Sequence, residues 1–171
     1  MTDRHHGGHR TDIGTNAAHA LAILNLDLRP DCQIQDLPLA LNAPVAGDRL
    51  ASLDGKPVAA SNGLSMSPTV AVEDIGPANI VFVCGGVNVE QAVTPELIAA
   101  LRRFAQRLVP LGSLCTGGYA LAKAGLLDKY KAVVHWENMS ALEEQFPAVQ
   151  FSKQLYAIDR DRYTCSGGIA P

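Results

Sequence analysis

Two apolar segments that each run into a glycine-bearing turn constrain the fold of this chain more than any other feature. Residues 80–84 (IVFVC) are followed by Gly85-Gly86, and residues 111–115 (LGSLC) are followed by Thr116-Gly117-Gly118. A short, continuous apolar run bounded by turn residues is typical of a strand buried on both faces of a sheet. These segments therefore predict two interior strands of one sheet.

The residues between and after these strands have helical patterns. Thr94 is suited to cap a helix that begins at Pro95, and Pro110 ends it. Its apolar residues recur at helical spacing: Leu97, Ile98, Leu101, Phe104, Ala105 and Leu108. The pattern then predicts a helix after Gly118 that ends near Gly125, a strand at 132–135 and a helix at 137–146. Alternating strands and helices indicate an α/β fold with a parallel sheet and helices on both faces.

The remainder of the chain gives weaker signals. We expect residues 1–14 to form a disordered tail and residues 15–171 to form one domain. Residues 15–28 fit either a helix or a strand, and residues 29–47 look irregular. The other predicted elements are a hairpin of 49–53 and 58–61 around Asp54-Gly55, a short strand at 70–72, and a hairpin of 149–158 and 163–166.

Composition excludes several classes of function. The chain has 171 residues, 47% of them hydrophobic, and a net charge of −3, which does not suit a protein that tracks a phosphate backbone. No apolar run reaches the roughly 18 residues of a membrane span, and the polar, His-rich start is unlike a signal peptide. The four cysteines are widely spaced and predict reduced thiols in a cytoplasmic protein: Cys32, Cys84, Cys115 and Cys165.

Four successive strand ends carry the main functional signal. In a parallel sheet, ligands bind outside the carboxyl ends of the strands. The segments predicted to meet along that edge are Cys84-Gly85-Gly86, Cys115-Thr116-Gly117, His135-Trp136-Glu137 and Ser166-Gly167-Gly168. We therefore expect a small-molecule site there.

Cys115 is the sharpest single position, because it ends a strand and begins a helix. Free N–H groups at a helix start stabilise negative charge, so a cysteine there suits a nucleophile, and the same geometry suits binding of an anion or a carbonyl group. A buried free cysteine is more often a small apolar core residue. The adjacent Gly117 and Gly118 favour the site, because glycine lets the backbone approach a ligand closely.

The residues at 135–137 leave alternatives open. His135 is the residue type that activates a cysteine nucleophile. A lone histidine is more often a hydrogen-bonded structural residue, and at this strand end the two interpretations are evenly balanced. Trp136 fits the core better than a ring presented to a ligand, and Glu137 fits the first turn of a helix. No metal or cofactor is predicted, because the cysteines and His135 lack the close ligand pairs usual for zinc.

The motifs together resemble a known family. Residues 112–128 (GSLCTGGYALAKAGLLD) and 133–138 (VVHWEN) resemble the class I glutamine amidotransferase-like fold of the PfpI superfamily. Within it, they are most similar to the N-terminal domain of GlxA-type regulators of the AraC class. The segments IVFVCGG (80–86) and YTCSGG (163–168) agree in order, so the resemblance covers about residues 49–171.

The resemblance implies a flavodoxin-like three-layer sandwich with a mostly parallel sheet, usually dimeric, with Cys115 in the nucleophile turn. It implies ligand-binding roles for Gly85, Gly86, Cys115, Thr116, His135 and Trp136. In these regulators the domain is thought to bind a small effector, often an amino acid or a quaternary amine, and DNA is bound by a separate helix-turn-helix domain. That domain is absent from these 171 residues, so we expect a fragment that does not bind DNA by itself. The family's first strand and acidic residue are not evident before residue 49, where Asp27 and Asp31 are candidates by type only.

Two functions follow from the same motifs. The first is an effector-sensing domain of a transcription regulator, favoured because no acidic partner of Cys115 is identifiable. The second is a cysteine-dependent hydrolase or hydratase, like the isonitrile hydratases that share the Cys-Thr-Gly turn, with Cys115 and His135 as catalytic residues. A redox sensor based on Cys115 is a weaker third interpretation.

Overall fold

The computed structural model describes residues 21–23, as backbone, and residues 49–59, 65–86 and 88–167. Eleven strands lie in this part of the chain: β1 Leu21–Ile23, β2 Arg49–Ser52, β3 Val58–Ala59, β4 Ser65–Met66, β5 Val70–Ala71, β6 Val81–Cys84, β7 Leu111–Leu114, β8 Lys131–Ala132, β9 Gln150–Phe151, β10 Tyr156–Asp159 and β11 Arg162–Cys165.

Seven of these strands form one sheet in the order β10-β11-β7-β6-β1-β2-β5. The strands β6, β7 and β11 are parallel neighbours, and β2 and β5 run in the same direction as they do. Only β1 and β10 run the other way within the described sheet. The predicted α/β class with a mostly parallel sheet is confirmed.

Four α-helices lie in the described residues: α1 Val89–Ala92, α2 Pro95–Gln106, α3 Gly118–Lys123 and α4 Met139–Gln145. Single 3-10 turns precede or join them at Val72–Asp74, Cys115–Gly117 and Trp136–Asn138. The cap predicted for α2 is present, because the Leu97 amide donates to the Thr94 hydroxyl over 3.3 Å. No described helix is long and apolar enough to cross a membrane.

The largest apolar cluster lies where α2 and α3 pack on one face of the sheet. Leu97 and Leu101 of α2 are buried against Val81, Val83 and Leu111 of the central strands. Each such side chain contributes roughly 1.5–3 kcal/mol to the free energy of unfolding. The opposite face of the sheet is buried as well, at Ile80 and Phe82. Burial on both faces explains why the sequences of the interior strands are continuously apolar.

The predicted hairpin of 49–53 and 58–61 is wrong. The turn at Asp54-Gly55 exists, since Gly55 has a φ of +75° and Asp54 accepts from the Lys56 amide over 3.1 Å. However, β2 is already paired on both edges, with β1 and β5, so β3 leaves the sheet and pairs with β4. Of residues 1–48, only the strand Leu21–Ile23 is described, so the expectations for 1–14 and 29–47 lie outside the described residues.

The strand predicted at 132–135 is shorter and lies elsewhere. It is β8, which pairs with β9 in a separate two-stranded sheet. The main sheet offers β8 no place beside β11, because β10 and β7 occupy both edges of that strand. The Val133 amide instead donates to the Thr164 hydroxyl over 2.8 Å. The strand predicted at 149–158 is likewise divided into β9 and β10, whereas its hairpin with β11 is confirmed.

A polar cluster fixes this hairpin to the loop before β8. The Arg160 guanidinium lies 3.6 Å from the centre of the Tyr130 ring, and the Tyr130 hydroxyl donates to Asp161 over 2.9 Å. Arg162, 5% exposed, donates to the Leu126 carbonyl and to the Asp161 carboxylate. Burial raises the pKa of Asp161, but the Tyr130 hydroxyl and Arg162 outweigh it and hold that pKa below its usual value.

Leu108 was expected on the buried face of α2, and this is wrong because the helix ends at Gln106. Leu108 is 86% exposed and has a φ of +59°. The Val109 amide donates to the Phe104 carbonyl over 3.1 Å, which is the pattern of a left-handed helix C-cap. Glycine is the residue that usually occupies this position, because other residues are strained there.

We therefore expect Leu108→Gly to stabilise the chain by about 0.5–1 kcal/mol, since relief of the left-handed strain exceeds the extra entropy of glycine in the unfolded chain. Urea denaturation measures the change. Leu108→Ala is the matched control, because alanine keeps the strain and should give no gain. A glycine variant no more stable than the alanine variant would contradict this account.

Candidate functional site

The carboxyl ends of three strands are level with one another. Cys84 of β6, Leu114 of β7 and Cys165 of β11 are paired in register. The Gly85 amide donates to the Leu114 carbonyl over 3.3 Å, so the ladder between β6 and β7 continues one residue further. The turn that begins at Cys115 therefore starts directly beside Gly85.

Two glycines allow the Cys115 turn to pack on the end of β6. A Cβ at Gly85 would overlap the backbone nitrogen of Gly117 and the hydroxyl of Thr116. A Cβ at Gly117 would overlap the Val83 carbonyl oxygen. Both backbones are thus closer than any side chain permits, which explains why glycine occupies these positions.

Cys115 has a left-handed backbone, with a φ of +57°. A non-glycine residue in this region costs about 1–2 kcal/mol, and strain of this kind concentrates at functional sites. It lets the chain turn at once from β7 into the 3-10 turn Cys115–Gly117 and then into α3. The Cys115 side chain is half-buried and lies at the edge of a cleft.

Thr116 closes the turn from the other side. Its hydroxyl donates to the Gly86 carbonyl over 2.8 Å. That bond ties the loop after β6 to the loop after β7. It also uses the only proton of the Thr116 hydroxyl, which is therefore not available to a bound oxyanion in this conformation.

The cleft beside this turn has a volume of about 550 Å³, within the range of small-molecule sites. Its walls come from the loop after β6 with α1, from the Cys115 turn, and from the segment before α4. The lining residues are Gly86, Asn88, Val89, Glu90, Gln91, Cys115, Thr116, His135, Glu137 and Asn138.

His135 and Glu137 form a loose pair in this wall. The His135 Nδ1 atom is buried and has no hydrogen-bond partner among the described residues. The nearest Glu137 carboxylate oxygen is 3.7 Å from it, just beyond hydrogen-bonding distance. A shift of less than about 1 Å would bring the two atoms within hydrogen-bonding distance.

The charge of the cleft is negative. Glu90 and Glu137 are exposed carboxylates on its wall, and neither lysine nor arginine is among the described lining residues. Polar amides from Asn88, Gln91 and Asn138 complete the lining. A cleft lined by one sign of charge concentrates ligands of the opposite sign.

The structure brings together most of the residues that the sequence singled out. Gly86, Cys115, Thr116 and His135 line the cleft, and Gly85 supports it from behind. Trp136 is 72% exposed, so its expected place in the core is wrong. Its ring lies 5.7 Å from the His135 ring, and it is not among the lining residues.

Of the fourth predicted strand end, the described residues Ser166 and Gly167 do not line the cleft. The Ser166 amide and hydroxyl both donate to the Leu155 carbonyl, and the Cys165 thiol donates to the Gly167 carbonyl. These groups are therefore used within the end of the β10–β11 hairpin. Gly168 and the acidic candidates Asp27 and Asp31 lie outside the described residues.

Sequence reasoning missed the acidic wall. Glu90 and Gln91 belong to the short α1, which follows the strand β6 after a few residues. Glu137 was interpreted as a first-turn helix residue, and it does lie in the 3-10 turn Trp136–Asn138, but its place in the wall of the cleft was not predicted. The sequence signal that could have revealed this wall is the set of polar residues that follows two of the predicted strands, at 88–91 and at 137–138. No group of three or more histidine, cysteine or acidic side chains in the described residues is close enough to hold a metal.

Comparisons with known proteins agree with this architecture. Residues 43–170 match the model of the DJ-1/PfpI family. The chain is 47% identical over 120 residues to the HTH-type transcriptional regulator GbdR of Pseudomonas aeruginosa strain UCBPP-PA14, covering 70% of this chain and 33% of that protein. It is 41% identical over 119 residues to the HTH-type transcriptional regulator CdhR of Pseudomonas aeruginosa strain PAO1, covering 70% and 35%.

A solved structure of similar fold is an AraC family transcriptional regulator from Pseudomonas putida, with a TM-score of 0.61, 30% identity, and 68% of this chain and 63% of that chain covered. These similarities confirm the fold class and the resemblance to AraC-class regulators. The chain spans about a third of the length of the curated relatives it matches.

We expect Gly85→Ala to destabilise the chain by about 2–3 kcal/mol, because the new methyl group must displace the Gly117 backbone. Gly86→Ala is the matched control, since a Cβ there meets nothing within 4 Å, and its effect should stay within about 0.5 kcal/mol. Chemical denaturation of both variants measures the difference. Equal effects would show that close packing of the two turns is unimportant.

Proposed function

The chain belongs to the DJ-1/PfpI family, and we propose that it is the effector-sensing domain of a bacterial AraC-class transcription regulator. In this proposal a small metabolite binds in the cleft beside Cys115. The metabolite carries a positive charge, as an amino acid or a quaternary amine does. The relatives that are 47% and 41% identical to the matched part of this chain are HTH-type transcriptional regulators. The observation that carries the ligand class is the acidic lining of the cleft, whose described residues include no lysine or arginine.

The cleft suits a small cation in size as well as in charge. Glu90 and Glu137 lie on two of its walls, so a ligand between them is attracted from both sides. The amides of Asn88 and Asn138 can satisfy a carboxylate or hydroxyl on the same ligand. Gly86 and Thr116 supply a rigid floor, because their mutual hydrogen bond fixes both turns.

Two features of the site favour binding over turnover. A cysteine nucleophile requires a base within hydrogen-bonding reach and a donor for the developing oxyanion. In this conformation the proton of the Thr116 hydroxyl is engaged by Gly86, which leaves backbone N–H groups as the donors to an oxyanion, and the buried nitrogen of His135 is 3.7 Å from the Glu137 carboxylate that would orient it. Under our proposal Cys115 contacts the ligand and does not attack it.

The regulatory role requires parts that lie outside these residues. With a net charge of −3, this domain is not suited to bind DNA, and we propose that a helix-turn-helix domain outside the 171 residues does so. We further propose that the domain acts in the cytoplasm as a homodimer. Symmetric dimers suit regulators because operators often contain two symmetric half-sites.

A thermal-shift screen of the 171-residue chain tests the ligand class. We expect glycine betaine, carnitine, arginine or a polyamine to raise the Tm, and acetate and succinate to leave it unchanged. A ligand at about a hundred times its Kd stabilises the folded state by about 2.7 kcal/mol. Stabilisation by the anions alone would overturn the proposal.

Mass spectrometry of each ligand after incubation distinguishes a sensor from an enzyme. We expect the ligand to be recovered unchanged, and Cys115→Ala to keep the fold while altering affinity only modestly. Nitriles and isonitriles belong in the same assay. Consumption of any ligand by the unaltered chain, lost in Cys115→Ala, would establish instead a cysteine-dependent hydratase or hydrolase.

Neutralising the acidic residues of the cleft tests which of them bind the positive charge of the ligand. We expect Glu90→Gln and Glu137→Gln each to weaken binding of a cationic ligand about three- to tenfold, as for partly exposed ion pairs of about 0.7–1.4 kcal/mol. Isothermal titration calorimetry measures Kd. Glu144→Gln, an exposed residue of α4 outside the cleft, removes the same net charge and should leave Kd unchanged. Equal weakening in all three variants would indicate a long-range charge effect rather than direct recognition.

A further inference from the structure

Among the described strands, β10 is the last strand of the main sheet and is paired along one edge only. It pairs antiparallel with β11, with Tyr156 opposite Cys165 and Ile158 opposite Tyr163. No strand of the described residues pairs with the other edge. An unpaired edge exposes backbone donors and acceptors that can add another strand.

The register of this hairpin determines which groups face outward. The Ser166 amide donates to the Leu155 carbonyl over 2.9 Å, so Leu155 directs its backbone groups toward β11. Because this direction alternates along an antiparallel strand, Ala157 and Asp159 also face β11. Tyr156 and Ile158 therefore direct their amides and carbonyls toward the open edge.

The side chains of the same two residues are apolar and accessible. Tyr156 is 49% exposed and Ile158 is 42% exposed, and both lie on the same face of the sheet. Leu155, which precedes the strand, is 70% exposed. Strand edges that must stay unpaired usually carry lysine or proline, and residues 156–159 contain neither.

Asp159, the charged residue of β10, does not present a free charge that would repel an added strand. Asp159 accepts from the Lys131 amide over 2.8 Å and from Arg160 over 3.2 Å, so its carboxylate is held by its own chain. These hydrogen bonds and Arg160 lower the pKa of Asp159. An approaching strand would therefore meet a compensated charge at one end and Tyr156 and Ile158 in the middle.

We propose that β10 pairs antiparallel with β10 of a second copy of this chain, about a two-fold axis at Ala157. This register sets Tyr156 opposite Ile158 of the partner subunit, and the reciprocal pair follows by symmetry. Both are outward-facing residues, so the two pairs form four backbone hydrogen bonds. The exposed Tyr156 and Ile158 side chains then pack across the junction of one continuous sheet.

A second copy fits this edge better than an unrelated strand because the edge is complementary to itself. The sequence Tyr-Ala-Ile places a large apolar residue at equal distance on each side of the axis, so hydrogen bonds and side chains match in the same register. An isologous contact of this kind closes at two subunits. The inference assigns a surface to the homodimer proposed above and rests on that part of the proposed function.

Amide hydrogen exchange followed by NMR tests the pairing directly. Between dilute and concentrated samples of the 171-residue chain, we expect exchange at Tyr156 and Ile158 to slow at least about tenfold. The amides of Ala157 and Asp159 are already bonded to β11, so their exchange should not depend on concentration. Slowing at neither Tyr156 nor Ile158 in a dimeric sample would overturn this interface and leave the homodimer standing.

Sedimentation velocity tests the same surface through variants. We expect the chain to sediment as a dimer and Tyr156→Lys/Ile158→Lys as a monomer with an unchanged far-UV circular dichroism spectrum. Leu108→Lys is the matched control, because it adds a lysine at an exposed apolar residue away from β10 and should remain dimeric. A monomeric unaltered chain at all concentrations would overturn both the homodimer and this interface, and a dimeric double-lysine variant would overturn the interface alone.

Discussion

The close approach of two backbones, at Gly85 and Gly117, is the contact on which the rest of the site depends. It seats the Cys115 turn on the end of β6 and brings the Thr116 hydroxyl to the Gly86 carbonyl. The loops after two parallel strands thereby become one rigid floor. Without that approach the two loops would separate, and the cleft would lose the wall that carries Cys115.

The strain at Cys115 is held by packing around it rather than by the residue itself. A left-handed cysteine is unfavourable in isolation, so the turn persists only because the glycine contacts on one side and the buried strand β7 on the other leave no alternative path. The result is a thiol at the edge of an acidic cleft. Under our proposal, this combination recognises a small cation.

Competition for strand edges explains how His135 reaches the cleft. Because β10 and β7 occupy both sides of β11, β8 cannot join the main sheet and packs over it, fixed by the bond from Val133 to Thr164. The segment after β8 then passes the open side of the Cys115 turn and delivers His135 and Glu137 together. The same competition leaves β10 as the last described strand of the sheet, with the Tyr156 and Ile158 side chains exposed.

The sequence by itself determined the interior strands, the capped helix α2, the Cys115 turn and four of the lining residues, because these depend on local patterns of burial and on glycine. Only the tertiary structure decided the rest. The turn at Asp54-Gly55 and the strand at β8 are present as local features, but their partners depend on which edges of the sheet remain free. Likewise, Glu90 joins the site because α1 folds back beside the Cys115 turn, and Trp136 leaves the core because the segment after β8 lies at the surface. Local sequence fixes the conformation of a segment, whereas its neighbours are chosen by competition among all segments for the same edges and faces.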